Sequence, residues 1–150
     1  QRFAYPEDHI ETDNRLSWRL GRLDDEYGDR AFYVHLQRDT ANTARSFLAR
    51  FDRGIIHAYS NQIIMGGVRR NPATVPMDFC VDYCNTVNAN IRHFLKDKSR
   101  WMTFRLENAK SDFALFWDRI GAVGDQQAAL AEWNVRYNAT PVPQATVEKG

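Results

Sequence analysis

The 150 residues carry 20 Lys or Arg against 19 Asp or Glu, a net charge of +1, which excludes the basic excess of a dedicated nucleic-acid or polybasic membrane-surface protein. Hydrophobic residues at 43% and charged residues at 26% suit one globular domain, long enough to build a core without disulfides or metal. No run approaches the roughly 18 apolar residues of a membrane span, and the polar, acidic start QRFAYPEDHIE is not a secretory signal. The chain opens on Gln1 rather than Met, as a piece of a longer protein would.

After an irregular start broken by Pro6, Leu16, Leu20, Leu23 and Tyr27 recur at helical spacing, with Thr12 or Asp13 as N-cap and Gly28 as the stop. Ala31-Phe32-Tyr33-Val34-His35-Leu36 is short, β-rich and bounded by turn or charge signals, and predicts a buried strand. A helix is expected from about Ala41 to Phe51, capped by Asp39 or Thr40, and another from about Gly54 to Met65, with Gly66-Gly67 opening the loop GGVRRNPATVP. A long helix follows from about Met77 to Asp97, with Cys80, Tyr83 or Cys84, Val87, Ile91 and Phe94 on one stripe. Trp101 to Leu106 is the second strand. A helix carrying Phe113, Phe116, Trp117 and Ile120 ends at Gly121, and a last one runs from about Gln126 to Tyr137 before a Pro-containing tail. Two strands alternating with helices point to the α/β class.

Cys80 and Cys84 are too few for a disulfide framework, and their spacing on one helix face does not suit a bridge. They read as small core residues kept reduced, as in a cytoplasm. His93 and His57 give no zinc-ligand spacing, so no metal is assigned.

The stretch FYVHLQRDTANTARSF carries the most chemistry. A buried strand delivers Arg38 at its C-terminal end, where open α/β sheets place their ligands. The following helix start offers free N–H groups and the positive end of a dipole. Arg38 supplies a fork of donors for a phosphate, and Ser46, eight residues on, can add a hydroxyl. The plainer alternative is a local Arg38–Asp39 ion pair plus a helix cap, with Ser46 facing solvent.

HLQRDTANTARSF resembles the segment with which sulfotransferases grip the 3′-phosphate of 3′-phosphoadenosine 5′-phosphosulfate (PAPS): a hydrophobic strand, Arg-Asp or Arg-Asn-Pro, then Ser eight residues after the Arg. Arg38 and Ser46 fall on those two positions, while Thr40 stands where the family commonly has Pro. WMTFRLENAKSDFALFWDRIGA is similar to the family's strand ending in Tyr-Glu-Asp-Leu, with Glu107 and Asn108 at the Glu-Asp positions and Leu106 replacing the Tyr that touches adenine. The likeness is spread over roughly residues 13 to 137. It implies a P-loop nucleotide-hydrolase-like parallel sheet flanked by helices, and transfer of a sulfuryl group from PAPS to a hydroxyl or amine on a small-molecule or glycan acceptor. Arg38 and Ser46 would hold the 3′-phosphate, with Leu106 and Glu107 near the nucleotide or supporting its strand. Neither nucleic acid nor membrane is an expected partner, and the oligomeric state is open.

The family also needs a Gly-rich loop carrying Lys or Arg and Ser or Thr after its first strand. No G-x-x-x-x-G-K-[ST] occurs, and GGVRRN lies between two helices, in the wrong order. The resemblance therefore implies the C-terminal part of a longer sulfotransferase-like domain, inactive alone. It also calls for an acceptor-activating base, a His or Glu upstream of the strand that leads to the 3′-phosphate site. His9, flanked by Glu7 and Glu11, is the only upstream histidine; in a frayed N-terminus it equally reads as solvent-exposed. His35 reads as a core or sheet-edge residue, and His57 and His93 as helix-face residues. Trp18, Trp101, Trp117 and Trp133 read as core packing before an acceptor platform. Arg45, Arg50 and Arg53 read as a solvated face before a phosphate contact, and Asn138-Ala139-Thr140 is a glycosylation triplet only by pattern. The rival functions are a non-catalytic helical interaction module of sulfotransferase ancestry and another nucleotide-dependent phosphotransferase.

Overall fold

Asp13 sets the first element in place. In the computed structural model, which describes residues 3–64 and 76–135, its carboxylate accepts from the Arg15 backbone N–H at 2.9 Å and pairs with the Arg15 guanidinium at 2.7 Å. This closes a 3-10 turn over Asn14–Trp18. The helix expected to run on unbroken is divided at Arg19 (φ −129°, ψ 23°), and α1 spans only Leu20–Tyr27. Gly28 ends it at φ 51°, a backbone conformation that other L-residues adopt at a cost.

Strand β1 (Tyr33–Gln37) leads into α2 (Thr40–Leu48), whose start is fixed by Asp39: its side chain accepts from the Asn42 N–H at 2.8 Å. The next expected helix forms as α3 (Gly54–Ala58) and then widens into a π-helical turn, Tyr59–Ile63. The Tyr59 ring is buried at that junction, and its hydroxyl donates to Asp82 at 2.5 Å. The long helix α4 spans Pro76–Leu95. Strand β2 (Trp101–Arg105) and a 3-10 turn over Leu106–Asn108 precede α5 (Ala109–Arg119). The Asp125 carboxylate caps α6 (Gln126–Ala131), which closes in a 3-10 turn over Glu132–Asn134. The loop motif GGVRRN, the end of the last expected helix at Tyr137 and the glycosylation triplet lie outside the described residues.

The two strands pair in parallel, with Tyr33 opposite Trp101 and Gln37 opposite Arg105. The chain is thus helix-rich around a two-stranded parallel sheet, compatible with the α/β class. The main core lies between α2, α3 and α4, where Ala44, Phe47, Ile56, Tyr59, Cys80, Tyr83 and Cys84 are buried together. Phe47 and Tyr59 each meet the Tyr83 ring edge-on, at 5.0 and 5.2 Å. Such aromatic pairs each contribute about 0.5–1.5 kcal/mol beyond area burial. A second cluster sits over β2, where Met102 and Phe104 are buried and Trp133 lies 5.5 Å from the Phe104 ring.

The sheet edges differ. On β2, Arg105 N–H donates to the Asp112 carboxylate at 2.7 Å, and the Arg119 guanidinium donates to the Trp101 carbonyl at 3.0 Å, so α5 side chains occupy that edge. Strand β1 keeps an edge free of such partners among the described residues, and its Val34 and Leu36 are 38% and 60% exposed.

Candidate functional site

Parallel pairing puts the C-terminal ends of both strands, and the helix starts that follow them, on one side of the sheet. Arg38 follows β1 directly, is exposed, and makes no ion pair with a described carboxylate. The plainer sequence reading is half realised: Asp39 caps α2, but it does not pair with Arg38. The backbone amides of Thr40 and Ala41 have no acceptor among the described residues, so the start of α2 retains donors for an anion.

Glu107 joins the two sequence motifs. Its Oε1 accepts from the Asp39 backbone N–H at 2.8 Å, across 68 positions of sequence. Leu106 and Glu107 also line an open cleft of about 450 Å³, completed by Asn108, Ala109, Lys110, Ser111 and Trp133. Ser46 is half-buried and lies on α2 in the same stripe as Asn42 and Thr43. It stands six residues into the helix, about 9 Å along the axis from Thr40. A phosphate shared by Arg38 and Ser46 would require the Arg38 side chain to lie back along the first turns of α2.

His9 is placed elsewhere. Its ring stacks on Tyr5 at 5.0 Å, and Tyr5 stacks in turn on Tyr27. Tyr27 ends α1, which leads into the N-terminal end of β1, so these contacts hold His9 toward the opposite end of that strand from Arg38. Its Nε2 meets a Glu11 carboxylate oxygen at 3.3 Å. His35, by contrast, is buried in mid-strand. Nε2 lies 2.8 Å from Asn88 Oδ1 and Nδ1 lies 3.2 Å from Gln37 Nε2. Burial lowers its pKa against the opposing pull of the Asn88 hydrogen bond, and the Arg92 charge lowers it further. His57 bonds to Asn61 within its own helical segment, and His93 is exposed on α4.

The basic residues after Arg38 divide: Arg45 reaches back to the first turn of α2, while Arg50 and Arg53 lie beyond its end. Arg45 donates to Asn42 Oδ1, and Arg50 lies over the Phe47 ring. Arg50 and Arg53 border a separate cleft with Asn14 and Gly54, near the far end of α2. The cysteines are buried thiols, with desolvation raising both pKa values, that of Cys80 to about 11.

Two side chains of the cleft wall were not singled out as site residues from the sequence. Lys110 is one; its Nζ donates to Asn134 Oδ1 at 2.6 Å. Trp133 is the other: it reads as core, yet it is 38% exposed, with its ring against Phe104 and Phe113. The only local signal was its polar setting between Glu132 and Asn134. No helix among the described residues is long and apolar enough to cross a membrane. In comparisons with known proteins, the chain matches no family model, no curated protein and no solved structure.

Proposed function

We propose that this chain is a sulfotransferase-like α/β domain of the P-loop-like kind. It binds PAPS at the C-terminal edge of its parallel strands and serves sulfuryl transfer to a hydroxyl or amine acceptor. Arg38 and the free amides at the start of α2 take the 3′-phosphate with Ser46, while Leu106 and Glu107 flank the nucleotide. The observation that carries this reading is the contact between Asp39 and Glu107. Two motifs recognised separately in the sequence, one after each strand, meet at one edge beside an open cleft.

Sulfuryl transfer requires donor and acceptor in line and charge stabilisation on the leaving phosphate. The residues named above position the nucleotide. The Gly-rich loop that would stabilise the leaving phosphate has no counterpart in these residues, so turnover requires one supplied from beyond them. His9 is not in contact with this edge and is given no catalytic role in the proposal.

A second reading, a non-catalytic interaction module, is favoured by one specific observation. Asp39 and Glu107 already place carboxylates on two backbone amides at the start of α2. Calorimetric titration of adenosine 3′,5′-bisphosphate, with adenosine 5′-phosphate as control, separates the two readings. Preferential binding of the bisphosphate is expected, and Arg38→Ala should weaken it by about 2–3 kcal/mol through loss of a charge-assisted contact. The thermal midpoint should barely move, because Arg38 is exposed. Equal binding by variant and parent would remove Arg38 from the site; no preference for the bisphosphate would favour the module.

A further inference from the structure

His35 is the one histidine held inside the fold, 2% exposed between β1 and α4, and it stands on the strand that ends at Arg38. Its hydrogen bonds fix where its proton sits. Asn88 Oδ1 can only accept, so Nε2 at 2.8 Å carries the hydrogen; Gln37 Nε2 can only donate, so Nδ1 at 3.2 Å is a bare acceptor. Both partners are carboxamides, which carry a donor and an acceptor on one group. A turn of the Gln37 amide about its last bond brings Oε1 to Nδ1, and the same two neighbours then satisfy the charged ring. A histidine whose second nitrogen met a backbone N–H would have no such alternative. The other groups that face it come from three elements. From α4, Arg92 opposes a charge on the ring; from β2, Thr103 stands opposite in register; from β1 itself, Tyr33 shares its face, with its hydroxyl committed to the Gly28 carbonyl. No described carboxylate pairs with it.

Resting on the nucleotide reading above, we infer that His35 is a proton-linked regulator of that site: a phosphate seated at Arg38 draws a proton from solvent onto His35 Nδ1, and acidity in turn tightens the phosphate. Arg38 lies about 10 Å further along the extended chain, at roughly 3.3 Å per residue. An anion there offsets the Arg92 charge that opposes the imidazolium. Burial of the ring spares this attraction much of the screening that exposed charges undergo. At that distance and an effective dielectric of about 35, one unit of charge changes affinity about fivefold. The moving part is the Gln37 amide, half-buried at the last position of β1.

The test is a pH titration of the His35 ring by NMR, its resonances assigned through the backbone, in the full chain with and without adenosine 3′,5′-bisphosphate. Calorimetry near neutral pH reports separately whether the ligand binds. The bisphosphate should raise the midpoint of the His35 titration by about 0.7 in pH, the reciprocal of a fivefold change in affinity. In Arg38→Ala, at a ligand concentration that saturates only the parent, the midpoint should stay at its unliganded value. Gln37→Met should lower the midpoint without ligand, because the Nδ1–H of the charged ring then has no acceptor. Thermal melts confirm that both variants are folded, and the parent titration carries the test if either is not. An unmoved midpoint in a parent that binds the ligand leaves the nucleotide site standing and overturns the inference. A Gln37→Met midpoint equal to the parent's removes the relay and overturns it as well. Failure of the parent to bind the bisphosphate overturns the inference and the nucleotide reading together.

Discussion

Removing the Asp39 carboxylate should move stability and anion affinity in opposite directions, which a purely structural role would not do. Asp39 holds the start of α2 through its bond to the Asn42 N–H at 2.8 Å. Loss of an N-cap carboxylate to alanine costs about 1 kcal/mol. For a domain of this size that is roughly 2–4 °C in thermal midpoint. The same substitution frees one more amide at the helix start and removes a negative charge from beside Arg38. For an anion bound about 6 Å away in water-like dielectric, that charge is worth about 0.7 kcal/mol, or roughly a threefold gain in affinity. Asp39→Asn separates the two effects, because asparagine caps nearly as well without the charge. It should stay within about 1 kcal/mol of the parent, losing only the favourable interaction with the helix dipole, and still bind the anion more tightly. The assay is a set of thermal melts of parent, Asp39→Ala and Asp39→Asn, with and without adenosine 3′,5′-bisphosphate, since a ligand bound only by the folded state raises its midpoint. Unchanged stability of Asp39→Ala would refute the cap. Weaker binding by both variants would refute the placement of the anion at the start of α2.

Stability should fall as pH drops below about 6.5, because burial lowers the folded-state pKa of His35 and the unfolded chain then takes up a proton that the native chain refuses. A pH series of melts checks this, and His35→Gln should flatten its acid limb. Cys80, buried with a thiol pKa of about 11, should resist an aromatic disulfide reagent at pH 8 and react only after denaturant is added; a rapid reaction of the native chain refutes its burial. Ile56→Ala should cost about 2–5 kcal/mol by denaturant unfolding, since Ile56 is fully buried between α2 and α4, and a loss under 1 kcal/mol would show that the core is not packed as described.

What the sequence disclosed was mostly local. Asp39 could be named as a cap because capping depends on a side chain reaching two or three residues along its own chain. The strand around Val34 and the helix around Tyr83 were legible from periodicity for the same reason. Which face of β1 is covered was not. Apolar pattern alone would bury Val34 and Leu36, yet α4 lies on the other face, where Asn88 and Gln37 satisfy both ring nitrogens of His35. That choice depends on partners 53 residues apart, which no local window contains. Parallel pairing with β2 was implied by the family likeness, but its register and the Asp39–Glu107 contact belong to the assembled fold. Trp133 was read as core because helical spacing cannot show that its neighbouring surface is left open.

The charges at the sheet's C-terminal edge explain why an anion site is compatible with so many carboxylates there. Asp39, Glu107 and Asp112 each accept from a backbone amide: those of Asn42, Asp39 and Arg105. A carboxylate so bonded has part of its charge offset by the amide dipoles it faces, and it is held toward the protein. Arg38 and Arg105 are exposed and make no ion pair with any described carboxylate, so their charge faces outward. These three carboxylates and two guanidiniums leave one net negative charge, with each carboxylate engaged by a backbone amide and neither guanidinium paired with a described carboxylate. An anion seated at such an edge, as proposed, would be held at short range and attracted only weakly from afar. Its affinity should accordingly depend on contacts such as that of Arg38 far more than on bulk ionic strength, because close, directed hydrogen bonds persist where interactions beyond a Debye length of about 8–10 Å are screened.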